Sequence, residues 1–122
     1  MVIIAIVSAS ALAASNSVPV TGLEDYRATV NLSSIFPQCS SIFSGGKYNL
    51  WVGTSGNDTY SGNNGTNNCI IGLGGDDHLT GGNKNNVIDG GPGIDHCFSG
   101  VGNNQNTFIN CEFINGTPQP TP

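Results

Sequence analysis

From Gly53 to about Cys111, apolar residues stand singly at nearly regular intervals: Tyr60, Ile70, Leu79, Ile88 and then Cys97 or Phe98. Each sits in a run of three or four residues bounded by Gly, Asn and Asp, too short and too often interrupted for an amphipathic helix. The pattern predicts a glycine-rich turn followed by a short strand with one inward side chain. One such unit cannot close a core. Stacked on its neighbours at ~4.8 Å, it completes one wall of a solenoid. Two units, about eighteen residues, make one coil, and successive turns alternate between the two edges. The fold expected is therefore all-β, a short parallel β-solenoid over residues 53–115. Residues 15–52 form a small N-terminal cap region, with an apolar patch at Ile35, Phe36, Ile42 and Phe43. Tyr48 and Trp51, just before the first turn, are expected to cover the open end and its strand edges. Residues 116–122 read as a Pro-rich tail that stays extended and does not join a sheet.

The first fourteen residues read as a signal peptide, with an apolar run Val2–Val7 and small residues around Ala11-Leu12-Ala13. That run is shorter than the ~20 residues that span a bilayer. Four cysteines in 122 residues also suit an oxidising compartment, so the chain is expected to be secreted, with no membrane span in the mature form. Asn-x-Ser/Thr triplets begin at Asn31, Asn57, Asn64 and Asn115, glycan acceptors in a host that glycosylates.

Composition narrows the function. Charged residues are 9% of the chain, and three basic residues face eight acidic ones for a net charge of −5. Nucleic-acid binding, which needs a basic footprint, is not expected.

The units align as repeats. Gly53-Thr-Ser-Gly-Asn-Asp58-Thr-Tyr60-Ser61 is the first, and Asn67-Asn68-Cys69-Ile70 fills the same slots in a diverged second. Gly72-Leu-Gly-Gly-Asp76-Asp77-His78-Leu79-Thr80 is the third, and Gly81-Gly82-Asn-Lys-Asn85-Asn86-Val-Ile88-Asp89 the fourth. Gly90-Gly91-Pro92-Gly93-Ile94-Asp95-His96-Cys97 is the fifth, and a sixth begins Gly100-Val-Gly102-Asn103-Asn104. These units resemble the RTX nonapeptide repeats, or haemolysin-type calcium-binding repeats, with pattern G-G-x-G-x-D-x-U-x. The resemblance covers Gly53 to about Phe108 and implies a parallel β-roll with calcium held between turns of one edge. It also implies Asp side chains and turn carbonyls as ligands, here Asp58, Asp77 and Asp95 with Gly56, Gly75 and Gly93, and Asp76 as a helper.

The register adds a further expectation. Asp58, Asp77 and Asp95 fall on one edge, while Asn68, Asn86 and Asn104 fall on the other. Carboxylates stacked ~4.8 Å apart repel by roughly 1 kcal/mol per neighbour in water, and a hard cation with oxygen ligands relieves them. Two calcium ions are expected, one bridging Asp58 and Asp77 and one bridging Asp77 and Asp95. Asn amides can hydrogen-bond up a stack, so their edge needs no metal.

His78 and His96 share an outward slot one coil apart, and with no third ligand nearby they read as surface histidines. Asp89 reads as an exposed charge. Four cysteines allow three pairings. Cys97 and Cys111 bracket the last turn and suit one bridge, and Cys39 with Cys69 would then pin the cap region to the solenoid.

No nucleophile is placed with a base by any motif, so no enzymatic activity is expected. The expected function is a secreted, calcium-stabilised module with a structural or adhesive role, its partner a surface, a matrix or another copy of itself. A self-assembling extracellular fibre subunit, or a fragment of a larger RTX-type enzyme or toxin, is the alternative.

Overall fold

The computed structural model describes residues 31–44, 46–102 and 105–120. The signal peptide expected over 1–14, the first half of the cap region and Asn104 lie outside the described residues. Among the described residues, nine strands follow two short helices, α1 (Leu32–Ile35) and α2 (Ser40–Phe43), which flank a 3-10 turn at Pro37–Cys39. The strands are β1 (Tyr48–Val52), β2 (Thr59–Ser61), β3 (Asn67–Ile71), β4 (His78–Thr80), β5 (Asn86–Asp89), β6 (His96–Phe98), β7 (Asn106–Ile109), β8 (Phe113–Ile114) and β9 (Thr117–Pro118). Odd strands β1-β3-β5-β7 form one sheet and even strands β2-β4-β6-β8 the other, with β9 at its edge. All pairs are parallel except β8 with β9. The β-solenoid of the sequence reading, with turns on alternate edges, is the observed fold.

The interior holds one apolar side chain from each of β1 to β8. Trp51, Ile70, Ile88 and Phe108 are in register down one sheet. Tyr60, Leu79, Cys97 and Ile114 are in register down the other. Cys97 rather than Phe98 takes the inward slot; it is fully buried, whereas Phe98 is half-buried on the outer face.

Trp51 and Tyr48 do not act as an end cover. The roll begins five residues before Gly53, because Tyr48–Val52 is already a strand paired with β3. Trp51 is therefore the first inward rung, stacked on Tyr60 with centroids 4.4 Å apart and planes 8° from parallel. Tyr48 points the other way, edge-on to Phe43 at 5.1 Å.

The helical segment packs on the outer flank of the odd-strand sheet. Cys39, Ile42 and Phe43 join Tyr48, Leu50, Val52, Cys69, Ile71 and Val87 in a second apolar cluster. Both faces of β1 and β3 are thereby buried, which explains the unbroken apolar runs Leu50-Trp51-Val52 and Cys69-Ile70-Ile71. The Cys39–Cys69 disulfide fixes this contact, and Cys97–Cys111 closes the last coil, so both expected bridges are present. Asp89 is not an exposed charge. It is half-buried beneath the helical segment, its Oδ2 accepting from Gln38 Nε2 at 2.8 Å and its Oδ1 from Asn110 Nδ2 at 3.0 Å.

The tail also departs from expectation. Asn115 (φ 50°) and Gly116 (φ 80°) make a tight turn, and Thr117–Pro118 pairs antiparallel with Phe113–Ile114. Consecutive positive φ values at Asn-Gly favour this hairpin, and Pro118 is tolerated because it lies on an edge strand. Among the described residues no helix is long and apolar enough to cross a membrane.

Candidate cation site on the carboxylate edge

The turns entering the even strands place Asp58, Asp77 and Asp95 one above another, as the register requires. The backbone N–H of Asp58 donates to Asp77 Oδ1, and that of Asp77 to Asp95 Oδ1, each at 2.8 Å. One rung was missed by the sequence reading. The N–H of Asp95 donates to Glu112 Oε2, also at 2.8 Å, so Glu112 is the fourth carboxylate of the column. The fourth coil reaches that slot without a glycine turn, through Asn110-Cys111-Glu112, which hides it from a repeat alignment. The available signal was its position directly before the strand pair Phe113-Ile114, matching Asp77 before His78 and Asp95 before His96.

An outer column runs beside the first. Asp76 N–H donates to Asn57 Oδ1 at 2.8 Å, and Ile94 N–H to Asp76 Oδ1 at 2.9 Å. Asp76 is exposed, whereas Asp77 and Asp95 are 1% and 0% exposed. The turn glycines Gly56, Gly75 and Gly93 also stack: a side chain on Gly75 would overlap the Gly56 carbonyl, and one on Gly93 the Gly75 carbonyl. With φ of 97° and 146°, Gly75 and Gly93 also adopt backbone that side chains disfavour.

The second carboxylate oxygens differ between coils. Asp58 Oδ2 accepts from the Thr54 N–H at 2.7 Å and from the Thr54 hydroxyl at 3.0 Å. Asp77 Oδ2 and Asp95 Oδ2 are buried with no hydrogen-bond partner. A Cβ on Gly72 would overlap both Asp77 Oδ2 and the Gly90 carbonyl, and one on Gly90 both Asp95 Oδ2 and the Asn110 carbonyl. Each orphaned oxygen thus converges with a backbone carbonyl of the next coil on a spot that only glycine leaves open. Burial holds the Asp95 carboxyl up at about 6 against a backbone hydrogen bond that lowers it, with the charges of Asp77, Glu112 and Asp76 adding to the rise. Asp77 is raised as well, by burial first and by Asp58 and Asp76 after it.

Buried, unpartnered carboxylate oxygens beside carbonyl oxygens suit a hard divalent cation such as Ca²⁺. Among the described residues no three His, Cys, Asp or Glu side chains converge as a metal cage. Backbone carbonyls would therefore supply much of the coordination. His78 and His96 lie outside this edge, in register on the outer face of the even-strand sheet with ring centroids 6.1 Å apart. Phe113 extends their column, stacked on His96 at 4.3 Å.

The opposite edge is closed by hydrogen bonds. Asn49 Nδ2 donates to Asn68 Oδ1 at 3.2 Å, Asn68 Nδ2 to Asn86 Oδ1 at 2.7 Å, and Asn86 Nδ2 to Asn106 Oδ1 at 2.6 Å. The slot below Asn86 belongs to Asn106, because the last coil of this sheet is two residues longer than the one before: Asn68 faces Asn86, and Asn86 faces Asn106.

Residues 71–105 match the sequence model of the RTX calcium-binding nonapeptide repeat, in four copies. No curated protein and no solved structure gives a significant match. The matched segment runs from β3 into the turn before β7, and includes the two turns whose aspartates carry orphaned oxygens. The central coils of the solenoid, residues 71–105, are thus similar in sequence to RTX calcium-binding nonapeptide repeats.

Proposed function

We propose that this chain is a secreted calcium-binding β-roll module, without enzymatic activity, in which the ion stabilises the fold and the module serves a structural or adhesive role. The observation that carries the reading is the pair of buried, unpartnered oxygens, Asp77 Oδ2 and Asp95 Oδ2. Leaving two desolvated carboxylates side by side is unfavourable, and a divalent cation there would turn the defect into a binding site. Five of the eight acidic residues, Asp58, Asp76, Asp77, Asp95 and Glu112, crowd this one edge, so two ions would offset most of the net charge of −5. The RTX repeats favour calcium over other cations, as does an all-oxygen donor set. Two disulfides agree with an oxidising compartment, where calcium near millimolar would fill even a site with a dissociation constant of about 10⁻⁴ M.

The test is isothermal calorimetry of the disulfide-bonded chain with calcium, magnesium as control, and thermal melts in calcium and in chelator. Saturable calcium binding with a rise in melting temperature is expected; a hundredfold excess over the dissociation constant adds ~2.7 kcal/mol per site. No calcium binding at millimolar concentration, with identical melts in chelator, would remove the reading.

A further inference from the structure

We infer that the two cation positions sit one coil further along than the repeat alignment places them: one at Asp77 with the third coil, the other at Asp95 with Glu112, while Asp58 holds no ion. This inference rests on the calcium reading and assigns its ligands.

Thr54, Leu73 and Gly91 occupy equivalent turn positions, each directly after the glycine that opens its turn. In the first coil the Thr54 amide and hydroxyl both close on Asp58 Oδ2, which is left with donors around it and no call for a positive ion. Leu73 (φ 75°) and Gly91 (φ 91°) take left-handed backbone instead and have no hydroxyl to offer. Their coils are the ones with orphaned Oδ2 atoms. Those atoms face onward along the solenoid, since each shares the space over its glycine with a carbonyl of the following coil, Gly90 for Asp77 and Asn110 for Asp95. Asp58 Oδ2 meets the Gly72 carbonyl over Gly53 in the same way, and the two Thr54 donors alone set it apart. The coil that follows Asp95 carries Glu112, whose Oε2 holds the Asp95 N–H. Glu112 lies outside the matched repeat segment. It thus completes a final site with a carboxylate from a non-repeat turn, beside the Cys97–Cys111 bridge that fixes the turn's position.

Calorimetric calcium titration of the full chain, parent against Glu112→Gln and Asp58→Asn, separates this register from the earlier one. Both substitutions keep an oxygen for the existing N–H donors, remove the charge and turn the other oxygen into an amide donor. The expected result is two ions for the parent, one for Glu112→Gln and two for Asp58→Asn. Loss of an ion in Asp58→Asn, with two retained in Glu112→Gln, would overturn the register while leaving calcium binding intact. If Glu112→Gln does not fold, as judged by circular dichroism in chelator, Asp58→Asn decides alone: two ions support the register and one overturns it. No binding by the parent would instead sink the calcium reading, and the register with it.

Discussion

Asn68 donates its side-chain amide to Asn86 Oδ1 at 2.7 Å, and both residues are buried. Asn86 Nδ2 is shared among Asn106 Oδ1, the Lys84 carbonyl and the Gly82 carbonyl, while Asn86 Oδ1 also accepts from the Gly82 N–H at 3.0 Å. The amide edge therefore carries no charge and no orphaned atom at this rung. Asn86→Asp keeps the shape but replaces the donor with a second acceptor facing three oxygens. A loss of 3 kcal/mol or more, by about the cost of an unpaired buried charge, is expected from chemical denaturation. Calcium is not expected to restore it, because the neighbouring rungs on this edge, Asn68 and Asn106, are amides and supply no second carboxylate.

Asp77 invites the opposite experiment. Its Oδ2 is buried without a donor, and its carboxyl is raised by burial and by the charges of Asp58 and Asp76. Asp77→Asn removes that charge while keeping an oxygen for the Asp58 N–H. In chelator the variant is expected to melt above the parent, by about 1–3 kcal/mol of relieved desolvation. In calcium it is expected to melt below the parent, because the ion no longer has its ligand. Crossing melting curves in the two buffers are the signature.

Burial also sets the pH response without calcium. The Asp95 carboxyl titrates at about 6 in the fold against an ordinary value of 3.8, and Asp77 shifts the same way. A raised folded-state value means that the fold prefers the protonated acid. This contribution is fully present below the ordinary value and is lost as pH rises through about 6. In chelator, stability is expected to fall by about 3 kcal/mol for Asp95 alone between roughly pH 4 and pH 7. With saturating calcium the slope reverses, since the ion binds only the ionised carboxylate. Melts across this range in the two buffers check both signs; a chelator-state maximum at neutral pH would contradict the burial argument.

The coil period was legible because every glycine turn must bring one apolar residue back to the interior, so Ile70, Leu79 and Ile88 announce the strands. The acidic and amide columns followed from the same period. What the period could not show is whatever breaks it. Glu112 reaches the acidic column through a turn with no glycine, and Asn106 reaches the amide column after a lengthened coil. Trp51 was misplaced because β1 precedes the first glycine turn and carries apolar residues on both faces. Asp89 looked solvated because its two partners, Gln38 and Asn110, lie 51 and 21 residues away in sequence.

Trp51 stacks on Tyr60 inside the first coil, but its Nε1 is buried with no acceptor. The ring's area stabilises the fold while its N–H opposes it. Trp51→Phe retains most of the stacking and removes the orphaned donor, so a change within about 1 kcal/mol is expected. Trp51→Ala empties the end of the inward column and is expected to lose 3–5 kcal/mol, by about the usual penalty for a large core aromatic. Trp51 is the single tryptophan of the chain, so its fluorescence in the parent reports unfolding of the first coil directly.

The two disulfides are expected to fail differently. Cys97 is an inward rung between Leu79 and Ile114, and its bridge to Cys111 closes a loop of sequence separation 14. Replacing both with Ala enlarges the unfolded ensemble, worth ~3 kcal/mol, and also leaves space in the core, so the whole roll should melt earlier. Cys39 and Cys69 tie the helical segment to the outer face of β3, away from the inward column. Cys39→Ala with Cys69→Ala should therefore loosen the flank first. Amide hydrogen exchange is the discriminating measurement. Residues 32–43 are expected to lose protection by local opening while β4, β5 and β6 keep theirs. Uniform loss across all three strands would mean instead that the flank and the roll unfold as one unit.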